Sequence, residues 1–180
     1  TGAPFLAPTG FDLLAVSQSV LRNDPAVIAA RQAGIPVTSQ MRLFLQLCAG
    51  KVVGITGSSG KTTTTSPVGA MAAEAGIDHQ VGGNIGRPML EQMDEITPTT
   101  TVILEISHTQ LQYTDRSPAI AAITNITPNH LDRHGTMEAY TAAKARILEF
   151  QAKTDAAILG RDDKGAWNLR NKVNGKLFTF

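Results

Sequence analysis

The sequence VVGITGSSGKTTTT, residues 52–65, joins an apolar run to a loop of glycine and serine and then to a run of small residues. The run from Val52 to Thr56 is predicted to form a buried β-strand. The residues from Lys61 to Ala75 are predicted to form a helix that Gly76 closes. A strand, a glycine-rich loop and a helix in this order are typical of loops that bind phosphate.

The loop chemistry supports that interpretation. Its glycines let backbone N–H groups face a phosphate, Lys61 can reach terminal phosphates, and the Thr62 hydroxyl can hold Mg²⁺. The strict phosphate-loop pattern has a glycine where this chain has Ile55, so the loop is a variant. A glycine-rich turn with a surface lysine is the alternative. The candidate nucleotide-binding residues are Gly57, Ser58, Ser59, Gly60, Lys61, Thr62 and Thr63.

Strands and helices alternate along the rest of the chain, which predicts an α/β fold with a doubly wound, mostly parallel sheet. Asn23-Asp24-Pro25 is a helix-start signal, and Thr38-Ser39 can cap a second helix. A long helix is expected from Met137 to Ala152. The further predicted strands are Phe11–Val16, Ile35–Val37, Thr101–Ile106, Ala119–Thr124, Ala156–Leu159 and Lys176–Phe180.

Composition narrows the functional classes. The 180 residues are 42% hydrophobic and 17% charged, with a net charge of +1. We therefore expect neither nucleic acid nor a membrane as a partner, and we expect small-molecule partners. The single cysteine, Cys48, cannot form an internal disulfide, which fits a reducing cytoplasm. The chain begins with Thr1, and it ends in a predicted strand. We therefore expect it to be a piece of a longer protein.

Polar residues that end apolar runs are candidates for the site, because ligands bind at the carboxyl ends of strands in open α/β sheets. Glu105 ends one run, and His130 follows another shortly after Asn125. A carboxylate and an imidazole there could serve a Mg²⁺ ion beside bound phosphates, although imidazole is an unusual Mg²⁺ ligand. Both residues could instead be strand-end groups bonded within loops. A Zn²⁺ pair of His130 and His134 is disfavoured, because no helical run precedes it.

Lys144 is out of place in the helix predicted after Thr136. It falls on the apolar stripe with Tyr140 and Ile147, at helical spacing. One interpretation is that its stem packs while its ammonium reaches water. The other is a buried lysine with a depressed pKa, open to covalent modification as a neutral amine.

Five motifs together resemble the Mur ligase family in order and spacing, over most of the chain, with no gap inside any of them. They are residues 57–65 (GSSGKTTTT), 82–86 (GGNIG), 104–107 (LEIS) with 110–111 (QL), 125–135 (NITPNHLDRHG) and 140–147 (YTAAKARI). The resemblance implies an ATP- and Mg²⁺-dependent ligase of peptidoglycan biosynthesis. Such enzymes activate the carboxylate of a UDP-linked muramoyl precursor as an acyl phosphate, which the amino group of an amino acid then displaces.

The resemblance also implies a division of the chain and roles for its residues. Residues 1–49 would be the end of a Rossmann-like, precursor-binding domain, and residues 50–180 an incomplete central ATP-binding domain. Lys61 would match the catalytic phosphate-loop lysine, and Lys144 the lysine that the family carbamylates with CO₂. The implied metal ligands are Thr62, Glu105, His130 and carbamylated Lys144; the implied precursor-binding residues are Asn84, Ser107 and Gln110.

Within the family, Gly82–Gly86 and Gln110-Leu111 are most similar to the members that add D-glutamate, while Ser107-His108 faintly resembles those that add a diamino acid. The chain departs from the family pattern in three places: Ser107-His108-Thr109 where Ser-Ser-Phe is expected, Asn129 where aspartate is frequent, and Gln18-Ser19 where Pro-Gly is common.

Two readings from other classes stay open. A GTP-dependent switch is disfavoured because Asn171-Lys172-Val173-Asn174 ends in asparagine, not in the aspartate that reads guanine. The second alternative is a fragment without catalytic activity of its own. If this alternative holds, we expect the isolated chain to be inactive or nearly so.

Overall fold

The computed structural model describes residues 10–129 and 135–180. Its strands are β1 Leu14–Val16, β2 Val37–Ser39, β3 Lys51–Thr56, β4 His79–Gly83, β5 Thr101–Glu105, β6 Ile120–Ile123, β7 Ala156–Leu159 and β8 Lys176–Thr179. Its α-helices are α1 Pro25–Gln32, α2 Gln40–Leu47, α3 Lys61–Glu74, α4 His108–Leu111, α5 Met137–Glu149 and α6 Lys164–Trp167. Two 3₁₀ segments, Met89–Glu95 and Asn168–Lys172, complete these elements.

The larger sheet has six parallel strands in the order β4-β5-β3-β6-β7-β8. Its central strand β3 pairs with β5 on one side and with β6 on the other, so Ile55 lies between Glu105 and Ala122. The sheet is therefore extended on both sides of β3, by β5 and β4 on one side and by β6, β7 and β8 on the other. This strand order confirms the doubly wound α/β fold. This switch point is where open α/β sheets bind ligands.

Helices cover both faces of this sheet, as a parallel sheet requires. On one face the buried side chains include Leu104 and Ile123 of the sheet, Phe44 of α2 and Ile147 of α5. On the other face, Ala72 of α3 packs in a separate cluster of buried residues with strand side chains such as Ile55 and Ile103. The site-bearing segments are thus held between two packed layers.

Within residues 10–50, strands β1 and β2 form a small parallel sheet of their own. Helix α2 packs against the larger sheet, since Phe44 belongs to the core of that sheet. The Arg42 guanidinium also donates to Asp115 at 2.7 Å. The two regions therefore pack together, and the predicted domain division near residue 50 stays a prediction.

The predicted helix starts are confirmed, whereas the helix expected from Met137 to Ala152 ends earlier, at Glu149. Asp24 caps α1 ahead of Pro25, and the Ser39 side chain accepts a hydrogen bond from the Arg42 N–H group at the start of α2. The second strand was placed two residues too early: it occupies Val37–Ser39, because the Ile35 N–H group still bonds to Ala30 at the end of α1.

The main omission was β4, His79–Gly83, where the sequence analysis predicted no strand. Glycine is a poor strand former, yet this strand pairs with β5 so that Gly83 lies opposite Glu105. Pairing with a neighbour, which no local pattern reveals, decided this element.

None of the helices within residues 10–129 and 135–180 is long and apolar enough to cross a membrane.

Candidate functional site

The phosphate loop follows β3 directly and leads into α3. A Cβ atom at Gly57 would collide with Thr124 Oγ1, and Gly60 has a φ of +79°, so both positions favour glycine. The Lys61 ammonium folds back over the loop and donates to the Gly57 carbonyl at 3.2 Å. The loop is thus closed around its own lysine at the start of a helix, where backbone N–H groups and the helix dipole favour an anion.

Two of the loop N–H groups are already bonded. Ser58 donates to the Asn125 carbonyl and Ser59 to the Asn125 side-chain oxygen, each at 2.9 Å. The Asn125 side chain in turn donates to the Ser59 carbonyl at 3.0 Å. The N–H groups that remain for a phosphate are therefore those at the start of α3 rather than those of the serines. Asn125 is a residue whose role in the loop the sequence analysis missed.

Beside the loop, a buried carboxylate joins two further candidates. Glu105 is 2% exposed at the end of β5. It accepts from the Thr62 hydroxyl at 2.6 Å and from the Asn84 side-chain amide at 2.8 Å. The Asn84 N–H group also donates to the Glu105 carbonyl at 2.8 Å, which holds these two segments of the chain side by side. A carboxylate next to a hydroxyl is a donor set of hard oxygens, so it fits Mg²⁺.

Lys144 lies on the other side of the loop and is 1% exposed. Its ammonium donates to the Gly57 carbonyl at 2.7 Å and lies 4.9 Å from the centre of the Tyr140 ring. Burial, and then the nearby Lys61 charge, lowers the pKa of Lys144 to about 7. The interpretation in which this ammonium reaches water is therefore wrong, and near neutral pH a large share of the amine is uncharged.

Tyr140 is fully buried one helical turn before Lys144. Its hydroxyl donates to Ser58 Oγ at 3.1 Å, and Ser58 Oγ donates to the Thr127 carbonyl at 3.0 Å. Sequence analysis placed Tyr140 on the apolar stripe but found no contact with the loop. The only available signal was its position one turn from an out-of-pattern lysine.

Ser107 and Gln110 cap the short helix α4 through reciprocal hydrogen bonds. The Gln110 N–H group donates to Ser107 Oγ at 3.2 Å, and the Ser107 N–H group donates to Gln110 Oε1 at 2.9 Å. Gln110 also lines a small cavity with Gly83 and Met89. The structure thus places both residues beside β5 and leaves their predicted contact with a precursor open.

The remaining metal predictions concern residues that the structure does not describe. His130, and with it the pair His130 and His134, lies outside the described residues. Within the described part of the chain, no group of three or more His, Cys, Asp or Glu side chains is placed to hold a metal ion.

Fold and site together define an α/β protein with the predicted phosphate loop at the switch point of a doubly wound sheet. Residues 55–180 match the model of the Mur ligase middle domain, which is more than half of the chain. The chain belongs to the Mur ligase family, and the resemblance found in its motifs is confirmed.

Sequence relatives narrow the similarity further. The UDP-N-acetylmuramoylalanine–D-glutamate ligase of Symbiobacterium thermophilum is 42% identical over 169 residues, covering 90% of this chain and 37% of the relative. The protein of the same name from Acidobacterium capsulatum is 44% identical over 170 residues, covering 94% of this chain and 37% of the relative. The chain therefore spans little more than a third of the length of these relatives.

Solved structures show the same fold. The MurF ligase of Thermotoga maritima in complex with ADP has a TM-score of 0.57 and 25% identity, covering 77% of this chain and 34% of that one. The UDP-N-acetylmuramate:L-alanyl-gamma-D-glutamyl-meso-diaminopimelate ligase of Neisseria meningitides has a TM-score of 0.63 at 18% identity, covering 94% and 58%. At that identity the second likeness bears on the fold alone.

Proposed function

We propose that this chain is the nucleotide-binding part of an ATP-dependent ligase that adds D-glutamate to UDP-N-acetylmuramoyl-L-alanine in peptidoglycan biosynthesis. The observation that carries the proposal is the meeting of Lys61, Glu105 and Lys144 around one phosphate loop. The choice of D-glutamate is supported by relatives of that name at 42% and 44% identity.

ATP is the proposed nucleotide. Its terminal phosphates would lie at the start of α3, where the Lys61 ammonium can leave the Gly57 carbonyl to contact them. The Thermotoga maritima neighbour, which was solved with ADP, supports this assignment. Because ATP is a substrate, we also expect the protein to act in the cytoplasm.

Thr62 and Glu105 are the described residues that would hold Mg²⁺, with His130 as a further ligand that the family resemblance implies. The ion would neutralise phosphate charge during phosphoryl transfer. Around it, Glu105 orients the Thr62 hydroxyl and the Asn84 amide from a buried position. Asn84 is thereby held at the same edge of the sheet as the loop, where the proposed precursor would approach.

Lys144 matches the lysine that the family carbamylates. Its neutral amine would attack the carbon of CO₂, forming a new N–C bond, and release a proton to solvent. The product is a carboxylate-like group at the phosphate loop, which would support a second Mg²⁺. The lowered pKa of Lys144 supports this step, because only the uncharged amine has the lone pair that attacks.

The chemistry proposed for the whole enzyme needs no nucleophilic side chain. The precursor carboxylate attacks the γ-phosphate of ATP, ADP leaves, and the amino group of D-glutamate displaces phosphate to form the amide. The protein contributes positioning and charge stabilisation from the start of α3 and Lys61. Ser107 and Gln110 would line the precursor side of the cleft.

The test is phosphate release from ATP by a full-length ligase that contains this chain. We expect release with UDP-N-acetylmuramoyl-L-alanine and D-glutamate together, and none when D-glutamate is replaced by a diamino acid. Release only with a diamino acid and its matching precursor would assign the chain to that branch of the family. Nucleotide hydrolysis without any amino acid would support the switch alternative instead.

A further inference from the structure

Three elements meet at the side chain of Tyr140. Its hydroxyl reaches Ser58 in the phosphate loop, and its ring lies 4.9 Å from the Lys144 ammonium in the same helix. The His108 ring of α4 packs edge-on against it, with ring centres 5.4 Å apart. We propose that Tyr140 is a positioning residue that keeps the phosphate loop in register with the helix that carries Lys144.

The contacts on Ser58 make its hydroxyl a junction. Ser58 Oγ donates to the Thr127 carbonyl and accepts from the Thr127 N–H group, each at 3.0 Å, and Tyr140 donates to it at 3.1 Å. The phosphate loop, the segment after β6 and helix α5 therefore share one buried hydroxyl group. Ser58 is 7% exposed, so water cannot easily replace a lost partner.

Helix α5 holds the loop at two successive residues. Tyr140 contacts Ser58, and Lys144, one turn later, donates to the Gly57 carbonyl at 2.7 Å. Two contacts from adjacent turns fix both the height and the rotation of the helix against the loop. Burial raises the pKa of the Tyr140 phenol, so the hydroxyl keeps the proton that it donates.

This attachment matters because a loop that is already ordered binds phosphate at a smaller entropic cost. Losing the phenol hydroxyl removes one hydrogen bond between α5 and the loop without changing the fold of either. The nucleotide must then order the loop as it binds. The inference rests on the proposed nucleotide site for its functional consequence, but the attachment itself exists without nucleotide.

The experiment compares Tyr140→Phe, Ser58→Ala and the double variant of the 180-residue chain, using ADP as the probe. We expect Tyr140→Phe to weaken ADP binding about 2- to 10-fold, the range of one neutral hydrogen bond. Ser58→Ala should weaken it at least as much, because it also removes both contacts between Ser58 and Thr127. The double variant should bind ADP no more weakly than Ser58→Ala alone, because Ser58→Ala already removes the contact that Tyr140→Phe removes. Fully additive losses would overturn the proposal.

The matched control is Tyr113→Phe, the same chemical change at the other tyrosine of the sequence. Tyr113 is also buried, in a cluster with Val27 and Val37 away from the loop. Its hydroxyl has no hydrogen-bond partner among the described residues. This variant should bind ADP like the parent chain, and an equal loss in both tyrosine variants would show a general packing effect and overturn the proposal.

A second readout separates this proposal from the proposed function. Amide NMR signals of residues 57–60 in the nucleotide-free chain should shift in Tyr140→Phe and stay in place in Tyr113→Phe. Unchanged loop signals in Tyr140→Phe would overturn the positioning role. If the loop signals shift in Tyr140→Phe but the parent chain binds no ADP, the positioning role is supported and the nucleotide assignment is the part that fails.

Discussion

Lys144 shows how one residue can be at odds with its surroundings and still be well packed. Its stem lies on the apolar side of α5, and its ammonium has the Gly57 carbonyl as an acceptor. One carbonyl cannot replace the hydration of a full charge, and Lys61 donates to the same oxygen. The folded state therefore favours the neutral amine.

The lowered pKa predicts a pH dependence of stability. Between about pH 7 and pH 10.5 the amine is protonated in the unfolded chain and largely neutral in the folded one. The unfolded state then binds more protons, so stability should rise with pH, by up to about 1.4 kcal/mol per pH unit from this group. Urea unfolding of the parent chain and of Lys144→Met across this window measures it.

The Lys144→Met variant should lose that rise, and Lys153→Met, which changes an exposed lysine, should keep it. A parent chain and a Lys144→Met variant with equal slopes would show that the amine stays charged in the fold.

Glu105 is the residue at which the metal proposal can be tested directly. In Glu105→Gln the side chain keeps its shape and one acceptor but loses the charge that pairs with Mg²⁺. We expect the parent chain to bind ATP more tightly with Mg²⁺ than with a chelator. The variant should lose about tenfold or more of that gain. Calorimetric titration with and without Mg²⁺ measures the difference.

The control is Glu74→Gln, at an exposed carboxylate at the far end of α3. It should keep the full Mg²⁺ effect. A Glu105→Gln variant with an undiminished Mg²⁺ gain would remove Glu105 from the metal site.

Among the elements, α3 carries an internal inconsistency. Pro67 is the seventh residue of this fourteen-residue helix, where it has no N–H group to donate to the Thr63 carbonyl. The residue is exposed, so no packing contact requires it. The helix forms because Gly69 and Ala72 pack its other side against the sheet, at a cost in helix stability.

Replacing Pro67 with alanine should therefore stabilise the chain by about 1–2 kcal/mol, since a hydrogen bond is restored and the gain exceeds the added freedom of the unfolded chain. Thermal and urea unfolding measure this. Pro98→Ala, in the turn before β5, should act in the opposite sense by about 0.4–1 kcal/mol. A destabilised Pro67→Ala would mean that the helix needs the proline conformation.

For the whole molecule, the length of the chain sets a limit. It spans 37% of the length of the Symbiobacterium thermophilum and Acidobacterium capsulatum relatives, so most of each relative has no counterpart in this chain. The described contacts around the phosphate loop are internal to this chain. The isolated chain should therefore keep nucleotide binding and lose amide formation.

We expect the isolated chain to bind ADP and ATP but to form no amide from UDP-N-acetylmuramoyl-L-alanine and D-glutamate. Calorimetry measures the binding, and phosphate release measures turnover. Lys61→Ala serves as the negative control for binding. Full ligase turnover by the isolated chain would refute this prediction.

Much of the fold and part of the site followed from local sequence patterns. The phosphate loop, the helix starts at Asp24 and Ser39 and the strand Ala156–Leu159 depend on neighbours in sequence, so composition and spacing were sufficient. Helical spacing placed Lys144 on the apolar stripe, because every fourth residue of a helix faces the same side. It left open whether the ammonium reaches water, and the tertiary structure decided that by burying the whole side chain.

Contacts between distant segments were decided by the tertiary structure alone. Strand β4 exists because it pairs with β5, and the Ser58 and Ser59 amides turn to Asn125 because β6 ends beside the loop. Likewise, Tyr140 reaches Ser58 across 82 residues of chain only when α5 packs over β3. Periodicity describes which side of an element is buried. Which residues pack against that side depends on the order of strands in the sheet, and no local pattern encodes that order.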